Sequence, residues 1–482
     1  MRAQKVSLND LGPSQNWFVA RLKAVAVPLN RKALGIVMRI SAYLIVKNEE
    51  DCLAACLESV QNVVDEIVVA DTGSTDGTVD LARRYTPNVL HFEWIDDFAA
   101  ARNFAIKHAT GDYLLHIDAD DVLCDPGSAR ARLEAFMQAN TDPNVVGAVE
   151  IESVVGDGPD AQHAVEVAHR FFRRGAFRYE GPIHEQLTPI TGQKRAAATG
   201  LRYIHSGYQY GAASAKNKSQ RNKEILRRVL ERSPQDEYYL YQLGKAHFGL
   251  KEYPEAIDAF ERALEQIQFA NQTLPRGASG VYVAEPVLSE LLCSLAYAYV
   301  NTGALAKAQA LLERHAAMDH GGARTPDFHH ALGYVYLMLG DIARAKAGYT
   351  ESLRLGAAHE RVLGTGSYSS EYHLGLLAEA EQDLNGAIEH YCRSLALKPD
   401  YTITLNRCVD FVLEYHIALP SRLWVCADQQ AFARVYRGKL VETLRAGGAN
   451  AAMELVNAAR GLAPELYQNC VAWLREFVRA SP

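Results

Sequence analysis

The sequence predicts two architectures in one chain of 482 residues: an α/β domain with a mostly parallel sheet, followed by an all-α solenoid. Two patterns support this prediction. Short apolar runs alternate with helical patterns between residues 41 and 117, as in βα units that build a parallel sheet. In the second half, small residues recur at a fixed spacing inside helical patterns, as expected for stacked helical pairs.

The elements of the α/β domain can be placed in order along the chain. The predicted strands are residues 41–46, 66–70, 89–93 and 113–117, of which the third has the weakest apolar pattern. The first helix presents apolar residues on one face at helical spacing: Cys52, Leu53, Cys56, Leu57 and Val60. The second helix covers residues 78–85, and a third begins after Asp97.

Polar or acidic residues follow three of these strands directly. Asn48 and Glu49 come after the first strand, Asp71 follows the second, and Asp118 and Asp120 follow the last. Open α/β sheets bind ligands outside the carboxyl ends of their strands, so these residues are expected to share one site. Mg²⁺ or Mn²⁺ commonly binds one or two carboxylates together with substrate phosphates, which makes a nucleotide diphosphate the natural partner.

Simpler interpretations of these acidic residues exist. A lone Asp-x-Asp is often a solvated turn or a helix cap, since Asp favours both. Residues 71–77 lack the glycine and glutamate spacing of a calcium loop, and the chain has no phosphate loop or dinucleotide fingerprint. Cys52 and Cys56 are predicted to be packed thiols rather than metal ligands.

Four ordered segments resemble family 2 glycosyltransferases of the GT-A fold. They are residues 46–50 (VKNEE), 71–78 (DTGSTDGT), 98–103 (FAAARN) and 118–120 (DAD). The resemblance covers about residues 39–210, and implies a UDP-sugar donor with Mn²⁺ or Mg²⁺. Residues 181–187 (GPIHEQL), 204–208 (IHSGY) and the Arg-Asn at 221–222 resemble a narrower branch in which tetratricopeptide repeats follow the catalytic domain. Peptide S-glycosyltransferases that modify bacteriocins are similar in plan.

The resemblance also implies roles for single residues. Glu185 is the expected catalytic base, with Asp121 as a second candidate, although an ordinary salt bridge is nearly as good an interpretation of Glu185. Asp120 is the expected metal ligand, and His184 and His205 compete for the place of a further ligand. The residues expected to contact the donor are Val46, Asn48, Glu49, Asp71, Ser74, Arg102, Asp118 and Ala119. Inversion at the anomeric carbon is likewise implied by the resemblance.

The second half repeats a pattern of small and aromatic residues. Four dipeptides begin similar helical pairs, each with Ala twelve residues after its Gly or Ala, and with Phe, Leu or Tyr four residues further on: Leu243-Gly244, Leu295-Ala296, Leu332-Gly333 and Leu374-Gly375. This is the tetratricopeptide signature. The predicted boundaries are an unassigned arm (1–37), the catalytic domain (38–212), a basic linker helix (213–235), about four repeats (236–400) and a helical cap (401–482).

These features predict a metal-dependent inverting glycosyltransferase whose array holds a peptide or protein acceptor, since solenoids offer extended binding grooves. The array could instead form a homodimer. A glycan or lipid-linked acceptor, a nucleotidyltransferase and an inactive repeat scaffold remain alternatives. The net charge of −7 argues against nucleic acid as a partner. Eight scattered cysteines predict free thiols in the cytoplasm, and no stretch predicts a transmembrane segment. A chain ending near Arg232 is expected to keep donor hydrolysis.

Overall fold

The computed structural model describes residues 38–155, 162–205, 211–273, 285–318 and 321–480. The predicted N-terminal arm lies outside the described residues. The α/β half contains ten strands, namely β1 Ile40–Val46, β2 Glu66–Asp71, β3 Val89–His91, β4 Tyr113–His116, β5 Asp121–Leu123, β6 Val145–Val155, β7 Gln162–Arg173, β8 Phe177–Glu180, β9 Gln186–Pro189 and β10 Arg195–His205. Its helices are α1 Leu53–Val60, α2 Thr78–Ala82, α3 Phe98–His108 and α4 Pro126–Ala139. The third strand and the second helix are shorter than predicted.

Eight strands form one mixed sheet in the order β3-β2-β1-β4-β7-β6-β10-β5, and β8 pairs with β9 separately. The first four strands pair in parallel, as predicted from their alternation with helices. Beyond β4 the strand β7 is antiparallel to both of its neighbours, and β5 is antiparallel to β10. The carboxyl ends of β1, β2 and β4 therefore meet at one edge of the sheet.

The sheet is buried on both faces, which explains the continuous apolar sequences of β1 and β4. One face packs against α1 and α4 through residues such as Leu57 and Leu133. The other face packs against α3, where Ala105 contacts the apolar side of the first strands.

The helical half begins with α5 (Gly211–Arg232) and continues through four antiparallel pairs. The pairs are α6 Glu237–Gly249 with α7 Tyr253–Thr273, α8 Glu285–Asn301 with α9 Leu305–Ala317, α10 Pro326–Met338 with α11 Ile342–Leu355, and α12 Tyr368–Ala380 with α13 Leu384–Leu397. Helices α14 Thr402–Tyr415, α15 Ser421–Cys426, α16 Gln429–Arg445, α17 Ala449–Leu462 and α18 Pro464–Ala480 share a core with the last pair.

The small residues of the repeats lie where the two helices of a pair touch, as predicted. A Cβ atom at Gly244 would lie 2.4 Å from the Phe260 ring, and one at Gly375 would lie 2.4 Å from the Tyr391 ring. Only glycine fits such a close approach, so the spacing of the pattern reports helix packing directly.

Helix α5 differs from the prediction of a linker. Ile225 and Leu226 are buried in the same core as the first two repeats, so α5 is the first layer of the array. Trp94 and Phe98 of the α/β half pack against that core, and Arg228 of α5 forms an ion pair with Asp96. The two halves are therefore in direct contact. Within the described ranges, no helix combines the length and the apolar character needed to cross a bilayer.

Candidate active site

The turns after β1 and β2 are joined by hydrogen bonds between predicted donor-site residues. The amide of Asn48, a residue with φ of +56°, donates to Ser74 Oγ at 2.9 Å, and Asn48 Oδ1 accepts from the Thr75 amide at 2.7 Å. The Glu49 amide donates to Thr78 Oγ1 at 2.7 Å. These contacts fix the two strand ends relative to each other. The structure thus brings Asn48, Glu49 and Ser74 together, as the sequence predicts.

Asp71 and Val46 lie at the floor of this edge. The Asp71 carboxylate is buried and accepts from the amides of Gly73 and Ser74, both at 3.1 Å, which closes a tight turn. The Val46 carbonyl already accepts from Thr72, through its amide at 2.9 Å and its hydroxyl at 3.0 Å. Both Asp71 oxygens accept backbone amides, and the Val46 carbonyl also has bonds within the protein, so Asp71 can contact a ligand only through its remaining lone pairs.

The segment after β4 closes on itself through two aspartates. The Asp118 amide donates to Asp121 Oδ2 at 3.0 Å, and the Asp121 amide donates to the Asp118 carbonyl at 3.1 Å. Ala119, between them, is buried in the sheet core, so it can reach a donor only through its backbone. Behind the turn the Cys56 thiol donates to the Asp118 carbonyl at 3.2 Å, which agrees with its prediction as a packed thiol.

Arg170 of β7 holds both aspartates. Its guanidinium donates to Asp118 Oδ2 at 2.6 Å and to the Asp121 carboxylate, whose side chain is 0% exposed. Burial alone would raise the pKa of Asp118, but Arg170, followed by His116 and Arg102, holds it well below its usual range. Asp118 is therefore charged, and Arg170 pairs with both carboxylates within the protein.

Asp120, Asp121 and His205 form a possible metal site. One ligand atom from each of the three lies within 4.8 Å of the others. His205 Nδ1 is 2.8 Å from Asp121 Oδ1 and 3.4 Å from Asp120 Oδ1. The pairing of β10 with β5 places His205 opposite Asp121 in the register, which brings a residue from the end of the domain to this edge.

The donor set of two carboxylates and one imidazole suits a divalent cation. Mg²⁺ binds almost only to oxygen, so the imidazole favours a transition-metal ion such as Mn²⁺. His184, the other predicted ligand, is not part of this group among the described residues. His184 is partly accessible to solvent and partly enclosed by the protein, and its backbone has a φ of +51°.

Glu185 and Arg102 form a partly buried ion pair beside this edge. Arg102 also lies 3.5 Å from Asp118 Oδ1. Burial would lower the pKa of Arg102, but Asp118 and Glu185 raise it further above its usual value, so the guanidinium is a fixed cation. Its Nη1 atom is buried without a hydrogen-bond partner among the described residues. An anionic ligand bound at this edge would supply the acceptor that this donor lacks.

Two features of the site were not predicted. Arg170 belongs to no motif. Its place directly before Phe171 and Phe172, two residues expected in the core, could have indicated a buried arginine paired with a carboxylate. The approach of α5 was predicted only as a basic face. In the structure the Arg221 guanidinium lies 5.1 Å from the centre of the Phe98 ring at the start of α3. Burial lowers the pKa of Arg221.

Comparisons with known proteins agree with this arrangement. Residues 41–202 match the family model described as glycosyl transferase family 2, and residues 237–267 match the tetratricopeptide repeat. A tetratricopeptide repeat-containing protein of Synechococcus elongatus is 32% identical over 243 residues, covering 48% of this chain and 57% of that protein. The SPbeta prophage-derived glycosyltransferase SunS of Bacillus subtilis is 28% identical over 238 residues, covering 48% of this chain and 54% of SunS.

Among solved structures, S. aureus TarS 1–349 in complex with UDP-GlcNAc is similar with a TM-score of 0.31 and 16% identity, covering 55% of this chain and 88% of that one. The chain spans about half the length of the curated relatives it matches. Its N-terminal half carries a family 2 glycosyltransferase domain, and its second half contains tetratricopeptide repeats, as the sequence predicts.

Proposed function

We propose that the family 2 glycosyltransferase domain of this chain transfers a sugar, in a metal-dependent reaction, from a UDP-sugar to a side chain of a peptide or protein. The observation that carries the proposal is the meeting of Asp120, Asp121 and His205 at the sheet edge where Asp71 and Arg102 also lie. A cation site next to a buried, unpartnered guanidinium donor suits a diphosphate.

The donor lies across the carboxyl ends of β1, β2 and β4 in this proposal. Asp71 contacts the nucleoside, and the turn that holds Asn48, Glu49 and Ser74 forms the wall beside it. Arg102 donates from Nη1 to the donor, while its other nitrogens hold Asp118 and Glu185 in place. Asp118 acts through its charge and its contact with Arg170 rather than as a metal ligand.

Asp120 and His205 hold the metal ion, and Asp121 orients the His205 imidazole through the hydrogen bond to Nδ1. When bound, the ion supplies charge that stabilises the leaving diphosphate. The support for this assignment is that Asp121 is already engaged by Arg170 and by the Asp118 amide, whereas Asp120 points toward the histidine.

The transfer itself is a single displacement. The acceptor hydroxyl or thiol attacks the anomeric carbon while the bond to the diphosphate breaks, and UDP leaves with the bonding electron pair. Glu185 takes the acceptor proton as a general base. Its contact with Arg102 fixes the carboxylate beside the donor site, and its side chain is 11% exposed. The Asp121 side chain is 0% exposed and is held by Arg170, which supports Glu185 over Asp121 in this role.

The acceptor is a polypeptide, held along the first helices of the repeats. These helices carry a row of aromatic rings in which Tyr297 contacts Tyr334 at 5.7 Å, His330 contacts His373 at 5.0 Å, and Tyr372 contacts His373 at 5.2 Å between centroids. The rings span three successive first helices, α8, α10 and α12. Two steps of about 8–10 Å between these helices match an extended peptide of about five or six residues at about 3.3 Å per residue. All eight cysteines are free thiols, which fits a cytoplasmic protein.

The test is calorimetric titration of UDP into Asp120→Asn, with and without Mn²⁺. We expect the metal-dependent part of UDP affinity to disappear while the chain stays folded. Asp125→Asn is the matched control, because Asp125 is an exposed carboxylate whose partners are Arg132 and Ser128. Equal metal-dependent affinity in Asp120→Asn and wild type would refute the metal assignment.

The product separates the competing functions. A glycosyltransferase releases UDP from a UDP-sugar, whereas a nucleotidyltransferase releases or consumes pyrophosphate. An inactive scaffold would bind the donor without turnover. Transfer to a saccharide but to no polypeptide would leave the enzyme class in place and overturn the acceptor.

A further inference from the structure

We propose that Tyr238 and Tyr239, which open the first helix of the repeat array, are positioning residues for Glu185. The loop that carries Glu185, residues 181–187, is called the base loop here. The inference goes beyond the proposed transfer reaction and depends only on the role of Glu185, not on the identity of the sugar or the acceptor.

One side of the base loop is attached to the catalytic domain. The Phe98 amide, at the start of α3, donates to the Pro182 carbonyl at 2.8 Å. Just before the loop, the Asn103 side chain bonds both the carbonyl and the amide of Tyr179, at 2.8 and 2.9 Å. Glu185 itself pairs with Arg102 of the same helix. Helix α3 therefore fixes the base loop on the side of the catalytic domain.

The other side of the base loop is attached to α6 of the array. The Tyr238 hydroxyl donates to the His184 carbonyl at 3.4 Å, and the Gln186 side chain donates to the Tyr238 hydroxyl at 3.3 Å. Tyr239 closes over Gly181, where an added Cβ would lie 2.6 Å from the Tyr239 hydroxyl oxygen. Ile183, between these points, is buried in the core that α5 and α6 form.

The backbone of the loop explains why these contacts are needed. Gly181 has a φ of +94° and His184 a φ of +51°. The left-handed conformation is uncommon for residues other than glycine, although histidine adopts it more readily than most, so the surrounding contacts help to hold His184 in it. Because Glu185 directly follows His184, a relaxed His184 backbone would turn the carboxylate away from Arg102.

Charges on α6 also reach the base loop. Burial lowers the pKa of His184, and the Lys245 ammonium of α6 lowers it further. Tyr238, on the same helix, contacts the loop directly. The first repeat is therefore a structural wall of the site, and the array is more than a tether for the acceptor.

The experiment uses the full chain and compares alanine at two glycines with similar φ. Gly181→Ala brings a methyl group against the Tyr239 hydroxyl, whereas Gly175→Ala, at a φ of +79°, meets nothing within 4 Å. Both variants carry the same kind of backbone strain, so their difference isolates the contact with α6. Adding Tyr239→Phe to Gly181→Ala removes the clashing oxygen and leaves the nearest ring carbon, Cζ, at 3.8 Å.

Two readouts are measured: hydrogen–deuterium exchange of base-loop peptides, and hydrolysis of UDP-glucose or UDP-GlcNAc with Mn²⁺. For Gly181→Ala we expect exchange about tenfold faster and kcat lower by about 10- to 100-fold, with the donor KM within about twofold, since small misplacement of a catalytic group is costly. Gly175→Ala should leave the loop within about twofold of wild type, and Tyr239→Phe should restore most of the loss in Gly181→Ala.

Equal base-loop exchange in the two glycine variants, or no rescue by Tyr239→Phe, would overturn the proposal. If Gly181→Ala is strongly destabilised, its melting temperature is compared with that of the double variant, and Tyr239→Phe should raise it. Faster exchange with unchanged hydrolysis would instead refute the role of Glu185 and overturn the positioning of a base. The exchange readout needs no turnover, so it remains valid even if the proposed reaction is wrong.

Discussion

Replacement of Arg170 by leucine should strongly destabilise the catalytic domain. The Arg170 side chain is 8% exposed and bridges Asp118 and Asp121, of which Asp121 is 0% exposed. Leucine leaves the two carboxylates close together without their shared cation. Removing one partner of a buried ion pair costs about 3–5 kcal/mol, a large part of the stability of an ordinary domain.

The loss should grow as the pH rises. In the wild type, Arg170 depresses the pKa of Asp118, so this contribution is fully present above the unfolded pKa of about 3.9 and disappears only in stronger acid. In Arg170→Leu one of the two carboxylates should take up a proton, with a folded pKa above about 3.9. The variant is then most stable near pH 4 and loses stability as the pH rises through that raised pKa.

The assay is urea unfolding read by pulse proteolysis on peptides from residues 38–205, at pH 5.0 and pH 7.5. Arg178→Leu is the control, because its ion pair with Glu180 has side chains 62% and 44% exposed. An exposed pair of this kind contributes about 0–1 kcal/mol. A loss below about 1 kcal/mol for Arg170→Leu at both pH values, or one that shrinks as the pH rises, would refute the reasoning.

The parallel half of the sheet was predictable because its signals are local. β1 and β4 are apolar throughout, since both of their faces are buried, and turn residues follow each directly. The strand β10 has no comparable signal. Its sequence, RAAATGLRYIH, is rich in alanine and arginine, and it becomes a strand because β6 and β5 pair with it.

The repeats were predictable for a related reason. In three of the four pairs a glycine and an aromatic ring that meet lie sixteen residues apart, as in Gly244 with Phe260 and Gly375 with Tyr391. Ala296 and Leu312 have the same spacing in the second pair, so the packing leaves a fixed spacing in the sequence. The contact of Tyr239 with Gly181 leaves no such spacing in the sequence. It joins the segment 181–187 of the catalytic domain to the first helix of the first repeat, and no recurring spacing in the sequence relates these two residues.

The residues of the candidate site also fall into two groups, those predictable from local sequence and those placed by contacts distant in the chain. Asp118 and Asp120 follow a readable strand, so their placement at the sheet edge was expected. The choice between His184 and His205 depended on strand register, and the pairing of His205 with Asp121 favours His205 as the metal-site histidine. Arg170 was missed because its role depends on carboxylates 49 and 52 residues away in the chain.

Three further predictions concern the donor, the base and the array. Asp71→Asn should weaken UDP binding about 10- to 150-fold in calorimetry without changing its metal dependence, because one hydrogen bond to a charged acceptor contributes about 1.5–3 kcal/mol. Glu185→Gln should keep donor binding but slow the chemical step by about 10²–10⁴ in single-turnover measurements, while Glu180→Gln, at an exposed carboxylate, should match the wild type. The last prediction reverses the expectation from sequence that a chain ending near Arg232 keeps donor hydrolysis. Such a chain loses Tyr238 and Tyr239 and exposes Ile225, Leu226 and Leu230, which are buried against the first repeat. It should therefore lose UDP release from a UDP-sugar and show faster exchange in residues 181–187. A chain ending at Thr273 keeps both helices of the first repeat and should retain UDP release, although it lacks the rest of the array. Equal kcat for the two truncated chains would show that α6 does not support the base loop.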